Sequence, residues 1–219
     1  MALAQGSTQS PSNNSSPDGS QPVILAGKAG EIITTELHGK YYTQCYRGSV
    51  FAGSQAVAGA VVPIYTNTTQ QCGLWNPAGS GVNLVPIKLN IGYVSTTGAA
   101  GGFALGYVLN CGAGLGAAGS GITAATMNLL PVNCNLQGPK SKAIWMSAGI
   151  TCTAPALLMT LGINQLVTTA AVATIGFFEG KYEFDGHIVV PQGTAIFFSG
   201  MIALLLVASF TCIWEEVPA

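Results

Sequence analysis

The feature that most constrains this chain is an uncharged run of twenty-one residues, Thr194 to Trp214, near its end. About 20 apolar residues are enough for a helix that crosses a bilayer. However, Ser199 and Gly200 interrupt the run, and it is rich in Phe, Ile, Val and Thr, which favour strands. No Lys or Arg follows it, although basic flanks usually orient a membrane helix. The run therefore predicts a buried β-strand, with a membrane anchor over residues 194–214 as the alternative.

Charge is scarce along the whole sequence. Only 7% of its 219 residues are charged, against about 25% in an ordinary soluble domain. No charged residue lies between Lys88 and Lys140. A surface with so little charge indicates an assembly subunit, a membrane protein or a secreted protein with a polar surface. Without a basic patch to neutralise phosphates, we expect no nucleic-acid partner.

Alternation and turn residues predict an all-β fold. In "NLVPIKLNIGYV", the residues Val85, Ile87, Leu89, Ile91 and Tyr93 would share one face of a half-buried strand. The proline at position 86 indicates an edge position or a β-bulge. Later Thr-rich apolar runs are broken by Gly, Pro and Asn, which is typical of a sandwich or barrel.

Near the end, residues 186–198 predict a hairpin. "GHIVV" and "TAIFF" would be its two strands, and Pro191 and Gly193 would lie at the second and fourth positions of a type I turn.

The first residues are polar and rich in Ser, Asn, Gln, Gly and Pro, so they bury too little apolar surface to fold alone. We divide the chain into a polar tail and arm, residues 1–37, and a β-domain, residues 38–219. The start of the sequence has neither the basic nor the apolar region of a secretory signal. We therefore expect no export by that route.

A family likeness rests on three segments. "DGHIVVPQGTAIFF", followed by an apolar strand that ends in "WEEVPA", resembles the last strands of small jelly-roll-like proteins of tailed bacteriophages. "HGKYYTQCYRGSVFAG" and "LWNPAGSGVNLVPIKLNIGYVS" are similar to the start of the same group. The likeness covers residues 38–219 and implies an antiparallel β-sandwich of jelly-roll type with an extended N-terminal arm. It also implies a virion structural protein, such as a decoration, spike or fibre component.

One local pattern could carry chemistry. Glu183, Asp185 and His187 stand at alternate positions, so in a strand they would share a face, as metal ligands or acid–base groups do. The competing interpretation is a solvated strand end beside Lys181. These three residues are weak metal candidates, and we predict no catalytic residue, no cofactor and no enzyme activity.

Two further patterns favour ordinary interpretations. "GLGAAG", residues 114–119, matches a dinucleotide-binding motif, but the next acidic residue is Glu179, whereas such a site needs one about 20 residues on. A flexible loop is the better interpretation. Six cysteines, at positions 45, 72, 111, 134, 152 and 212, have no C-x-x-C spacing. We expect small buried hydrophobic residues, with disulfides as the alternative.

The resemblance, together with the scarcity of charge, implies a bacteriophage virion structural protein that assembles in the host cytoplasm. Its partners would be copies of itself, with trimers as the first symmetry to consider, and other virion proteins such as the major capsid protein. We expect no membrane partner. One alternative is a subunit of an extracellular filament joined by its N-terminal arm. Another is a module that binds a host receptor or glycan through exposed aromatics such as Trp75, Tyr41 or Tyr42.

Overall fold

The computed structural model describes residues 39–55, 60–62, 64, 69–70, 72–96, 101–109, 123–124, 131–146, 150–151, 156–164, 167–169, 172–174, 180–201 and 206–219. This part of the chain is nearly all β, with one short helix, α1 (Tyr42–Tyr46), and sixteen strands. The strands are β1 (Val50–Ser54), β2 (Ala60–Val61), β3 (Thr69–Gln70), β4 (Cys72–Asn76), β5 (Val82–Thr96), β6 (Gly101–Val108), β7 (Thr123–Ala124), β8 (Val132–Asn133), β9 (Ile144–Met146), β10 (Ile150–Thr151), β11 (Ala156–Asn164), β12 (Val167–Thr169), β13 (Val172–Thr174), β14 (Gly180–Glu183), β15 (Thr194–Gly200) and β16 (Leu206–Pro218).

Two antiparallel sheets form a sandwich, as the sequence predicted. The first sheet has the order β14-β5-β16-β1-β8, with β2 also paired to β16. The second has the order β11-β6-β15-β4-β9. Two small sheets, β3-β10-β7 and β12-β13, accompany them. Side chains from both large sheets fill one apolar core, as in other sandwiches.

Aromatic rings dominate the centre of the core. Trp145 of the second sheet stacks on Trp214 of the first, with ring centroids 6.3 Å apart and an interplanar angle of 18°. Phe198 and Phe51 extend this stack at centroid distances of 6.1 Å from Trp145 and 6.3 Å from Trp214. Opposite Trp145 lies Gly53 of β1, where a Cβ atom would come within 2.6 Å of the indole Cδ2 atom. The glycine therefore permits the close approach of the two sheets at this point.

The uncharged run from Thr194 to Trp214 forms two strands, so the predicted buried β-structure is confirmed. Every residue of β15 is buried, and strands covered on both faces read as continuous apolar runs. The break between the strands comes slightly later than predicted, because β15 continues through Gly200 and the chain bends at Met201. Among the described residues, no helix has the length and apolar character that crossing a membrane requires.

Pro86 lies at a β-bulge, which was one of the two positions predicted for it, the other being an edge strand. Ile213 pairs with Lys88, but Trp214 pairs with Pro86, so Ile87 is the extra residue of β5. A bulge reverses the alternation of side chains along a strand. Val85 consequently does not share the buried face of Ile87, and the single face predicted for them was wrong.

The predicted hairpin at residues 186–198 was also wrong. Val190 exchanges two backbone hydrogen bonds with Leu84 of the first sheet, at 3.0 and 2.8 Å. The strand that follows, β15, pairs with β4 and β6 in the second sheet. The turn lies one residue later than predicted: the Thr194 N–H donates to the Pro191 carbonyl at 3.3 Å, and Gly193 has a φ of +74°. The chain here crosses between sheets.

Two predicted features lie outside the described residues. They are the N-terminal tail and arm, residues 1–37, and the "GLGAAG" segment, residues 114–119.

Candidate functional site

The outer edge of the second sheet carries an apolar surface. Within the described part of the chain, β11 is the last strand of this sheet and pairs only with β6. It contains no charged residue. Leu157 and Leu158 follow one another in β11, yet both are exposed, at 42% and 43%. The pairing register with β6 shifts between Leu157 and Met159, and such a bulge allows two successive side chains to escape the core.

A groove of about 240 Å³ runs beside this strand. Its walls are mainly Leu158 of β11, Tyr107 and Leu109 at the end of β6, and Ile188 and Val189 of the crossing segment. Leu109 is 59% exposed and Val189 is 53% exposed. Single exposed leucines are common, whereas large contiguous apolar patches are a feature of interaction sites. We name Leu109, Leu157, Leu158 and Val189, with this groove, the edge patch.

The edge patch suits association better than catalysis. Leucine and valine side chains supply no nucleophile and no proton carrier, and His187 is the one histidine of the groove lining. Edge strands present backbone N–H and C=O groups that can pair with another strand, and native proteins usually protect such edges with charge. β11 has no such protection within its own sequence. The arrangement can bury apolar side chains of a partner and extend the second sheet by strand addition.

The described chain begins close to one wall of the groove. Lys40 Nζ lies 2.8 Å from Asp185 Oδ1. Asp185, with a φ of 45°, and Gly186, with a φ of 78°, form the turn that leads directly to His187 and the groove-lining segment. The point at which the N-terminal segment joins the domain is therefore near the edge patch.

The structure does not gather Glu183, Asp185 and His187 into a metal site. β14 ends at Glu183, and Asp185 lies in the following turn, so the predicted shared strand face is wrong. Hydrogen bonds from Lys181 to Glu183 and from Lys40 to Asp185, at 2.5 and 2.8 Å between the charged atoms, lower the pKa of each carboxyl. Among the described residues, no group of three His, Cys, Asp or Glu side chains could hold a metal ion.

The three aromatic residues proposed for glycan binding differ in exposure, and only Tyr42 is exposed as expected. Trp75 is only 3% exposed, so its predicted role as an exposed sugar platform is wrong. Tyr42 is 36% exposed and stacks on Tyr46, which is 45% exposed, with ring centroids 6.1 Å apart. Tyr41 is partly buried.

The described cysteines are free thiols of two kinds. Cys72 and Cys212 are fully buried in the core, as predicted for small hydrophobic residues. Cys45 is partly buried and Cys134 is exposed, so that prediction was wrong for Cys134. The remaining two, at positions 111 and 152, lie outside the described residues.

A second surface depression carries much of the positive charge. Arg47, Lys140 and Lys142 line a cavity of about 350 Å³ together with Glu216. The Glu216 carboxylate accepts hydrogen bonds from the Ser141 hydroxyl at 2.5 Å and from the Lys142 N–H at 3.0 Å. These bonds hold the 141–143 loop against β16. The cavity is built around this loop contact, and we assign no ligand to it.

Sequence reasoning missed the edge patch. The available signal was the pair of adjacent leucines in an uncharged strand, but their exposure depends on bulges that the sequence does not display.

Comparisons with protein-family models, curated proteins and solved structures gave no match.

Proposed function

We propose that this protein is a structural subunit that assembles with copies of itself, and that the assembly belongs to a bacteriophage virion. The observation that carries the proposal is the edge patch, an apolar surface on an uncharged edge strand. The scarcity of charge over the rest of the chain supports it, because an isolated subunit normally relies on charge for solubility.

We further propose that the sandwich is a jelly roll, and the strand pairings support this. Eight strands in chain order are β1, β4, β5, β6, β11, β14, β15 and β16. The first of them pairs with the eighth, the second with the seventh, the third with the sixth and the fourth with the fifth. This is the pairing of one long ribbon of strands that is folded over and rolled into two sheets, and jelly rolls occur in viral capsid domains. Because one fold hosts many functions, this supports a virion role without defining it.

The proposed mechanism is burial of the edge patch between copies. Leu158 of one copy would enter the groove of the next, and the β11 edge would gain a strand partner. Full burial of an exposed leucine side chain contributes roughly 1.5–3 kcal/mol, and Leu158, at 43% exposure, would contribute about half of that. Several such contacts, repeated by symmetry, would favour a closed oligomer.

The first test is a Leu158→Glu substitution. We expect the wild-type protein to run as a discrete oligomer in size-exclusion chromatography with light scattering. A glutamate buried at this edge would have no charged partner. We therefore expect the dissociation constant of the oligomer to rise at least about tenfold, which corresponds to roughly 1.4 kcal/mol of association free energy. Circular dichroism would verify that the variant remains folded.

Leu136→Glu is the matched control, because Leu136 is 86% exposed and lies outside the edge patch. It should leave the oligomer intact. If Leu136→Glu dissociates the oligomer and Leu158→Glu does not, the assembly surface is elsewhere. A wild-type protein that stays monomeric at high concentration would contradict the assembly proposal itself.

The virion assignment needs a separate measurement. Mass spectrometry of phage particles purified from a lysed host that carries this gene should detect the protein at a fixed ratio to the major capsid protein. Its absence from purified particles would contradict the virion role while leaving self-assembly intact.

The filament alternative is favoured by one observation, the position of Lys40 beside Asp185 next to the groove. An N-terminal arm that leaves the domain there could add a strand to the β11 edge of another copy. Deletion of residues 1–36 distinguishes the two mechanisms. An arm-linked filament would fall apart, whereas an oligomer held by the edge patch alone would keep its size.

A further inference from the structure

Helix α1 and the loop after β8 bring two cysteines together from distant parts of the chain. Cys45 lies in the last turn of α1, and Cys134 directly follows β8. The two side chains are close enough for each to shift the pKa of the other. Cys134 is exposed and Cys45 is partly buried. The pair is therefore at the protein surface, where a small oxidant can reach at least one sulfur atom.

Backbone contacts hold the two segments together independently of the thiols. The Cys134 N–H donates to the Val50 carbonyl at 2.9 Å. The next side chain, Asn135, donates from Nδ2 to the Tyr46 carbonyl at 3.2 Å. Cys134 is thus placed by hydrogen bonds on both sides of the turn that follows α1.

A third residue tightens this junction. Asn133 is buried, and its Nδ2 atom donates to the carbonyls of Gly48 and Pro139, at 2.8 and 2.9 Å. A Cβ atom on Gly48 would lie 2.7 Å from the Pro139 ring Cδ atom, so the loops are in close contact. Little backbone freedom remains to be lost when a covalent link joins them.

We propose that Cys45 and Cys134 are an oxidation site at which the folded protein forms a disulfide in the presence of a small disulfide oxidant. This inference does not depend on the proposed function, since it concerns the folded subunit alone. The distinguishing property of the pair is its placement on a preformed junction. Cys72 and Cys212, in contrast, are sealed in the core.

The reaction balances with glutathione disulfide as the oxidant. The Cys134 thiolate attacks one sulfur of the oxidant and forms a mixed disulfide. The first glutathione leaves as a thiolate and takes up the proton that the Cys134 thiol had lost. The Cys45 thiolate then attacks the Cys134 sulfur and displaces the second glutathione. Two electrons pass from the protein to the oxidant, and the two thiol protons end on two glutathione molecules.

The reaction should be faster at higher pH. Burial raises the pKa of both thiols. For Cys45, the neighbouring Cys134 side chain offsets part of this rise, and the Glu215 carboxylate adds to it. Arg47 is the cationic group next to Glu215. Since the thiolate is the attacking species, the rate should rise roughly tenfold per pH unit below these pKa values.

The experiment is oxidation of the folded full-length protein with glutathione disulfide at pH 8, followed by alkylation and non-reducing tryptic mass mapping. The expected product joins residues 41–47, which contain Cys45, to residues 89–140. The second peptide also contains the cysteine at position 111, so fragmentation of the peptide must locate the bond at Cys134. The oxidised protein should melt several degrees higher than the reduced protein, because the link closes a long loop.

Cys45→Ser should abolish the linked peptide and leave Cys134 as a glutathione adduct. If this variant is unstable, reduction of the oxidised wild-type protein with dithiothreitol provides the same comparison on an unaltered sequence. The proposal is overturned if exhaustive oxidation leaves Cys45 and Cys134 separately alkylated. A bond from either residue to the cysteine at 111 or 152 would overturn it as well.

Discussion

The contact between Gly53 and the indole of Trp145 makes a quantitative prediction about the core. In a Gly53→Ala variant, the new Cβ would meet Trp145 Cδ2 at 2.6 Å and its Cβ at 2.8 Å. One atom is a ring-fusion carbon and the other is the Cβ that carries the ring, so the whole indole must shift. It has little room to do so, because Trp214 stacks on it and Phe198 packs against it at a tilt. Overpacking of this kind costs about 1–3 kcal/mol.

The matched control is Gly92→Ala in β5. A Cβ at Gly92 would lie 3.7 Å from the Ser209 carbonyl oxygen, which is ordinary van der Waals contact. Replacement of a glycine by alanine reduces the entropy of the unfolded chain and contributes about 0.4–1 kcal/mol where the native conformation tolerates it. We therefore expect Gly92→Ala to be neutral or slightly stabilising. The entropy gain offsets only part of the steric cost at Gly53.

Urea unfolding followed by tryptophan fluorescence measures both variants, because all three tryptophans are buried. We expect Gly53→Ala to lower the free energy of unfolding by about 1–3 kcal/mol relative to Gly92→Ala. This corresponds to a decrease in Tm of roughly 2–12 °C for a chain of this length. Equal stability of the two variants, at unchanged m-value, would refute the close approach of the sheets at Trp145.

Three further predictions concern polar contacts and thiols. Asn76→Ala removes the donor to the Val82 and Val190 carbonyls, so we expect urea unfolding to show a loss of about 1–3 kcal/mol; an unchanged midpoint would contradict this. Lys40 lowers the pKa of Asp185, so their contact stabilises the fold at neutral pH and is lost as the pH falls below about 4. Lys40→Ala should consequently lower the melting temperature at pH 7 and leave it unchanged at pH 2. A decrease at both pH values would show that the ion pair is not its cause. Burial raises the pKa of the Cys72 thiol well above its usual range, so iodoacetamide at pH 8 should label it only after denaturation, and labelling of the folded protein would show that the core is open.

The all-β class and the buried C-terminal strands were predictable, because both depend on local composition. A run of β-branched and aromatic residues between turn residues predicts a strand, whichever other strand it pairs with. The partner of a strand is a different matter. The turn at Pro191 to Gly193 has the same residues whether the next strand folds back on the previous one or crosses to the other sheet. The crossing at Val190 is decided by long-range pairing with Leu84, which the local sequence does not encode.

Bulges account for two further errors, the face of Val85 and the missed edge patch. Pro86 indicated a bulge correctly, because proline cannot donate a ladder hydrogen bond. The consequence for Val85 was still missed, since one extra residue reverses every later side chain in the strand. The same effect exposes Leu158 and creates the edge patch. No proline or glycine stands between Ala156 and Leu161 to announce it, so this candidate site was not accessible from the sequence.

The position of β16 has a consequence for biosynthesis. This strand lies in the middle of the first sheet, between β1 and β5, and Phe51 near the start of the domain pairs with Trp214. A ribosome makes β1 and β5 long before it makes Leu206–Pro218. Until that strand emerges, the first sheet lacks its central strand, so β1 and β5 have no shared partner and part of the core stays open. Nascent chains of this protein should therefore depend on chaperones until synthesis of β16 is complete.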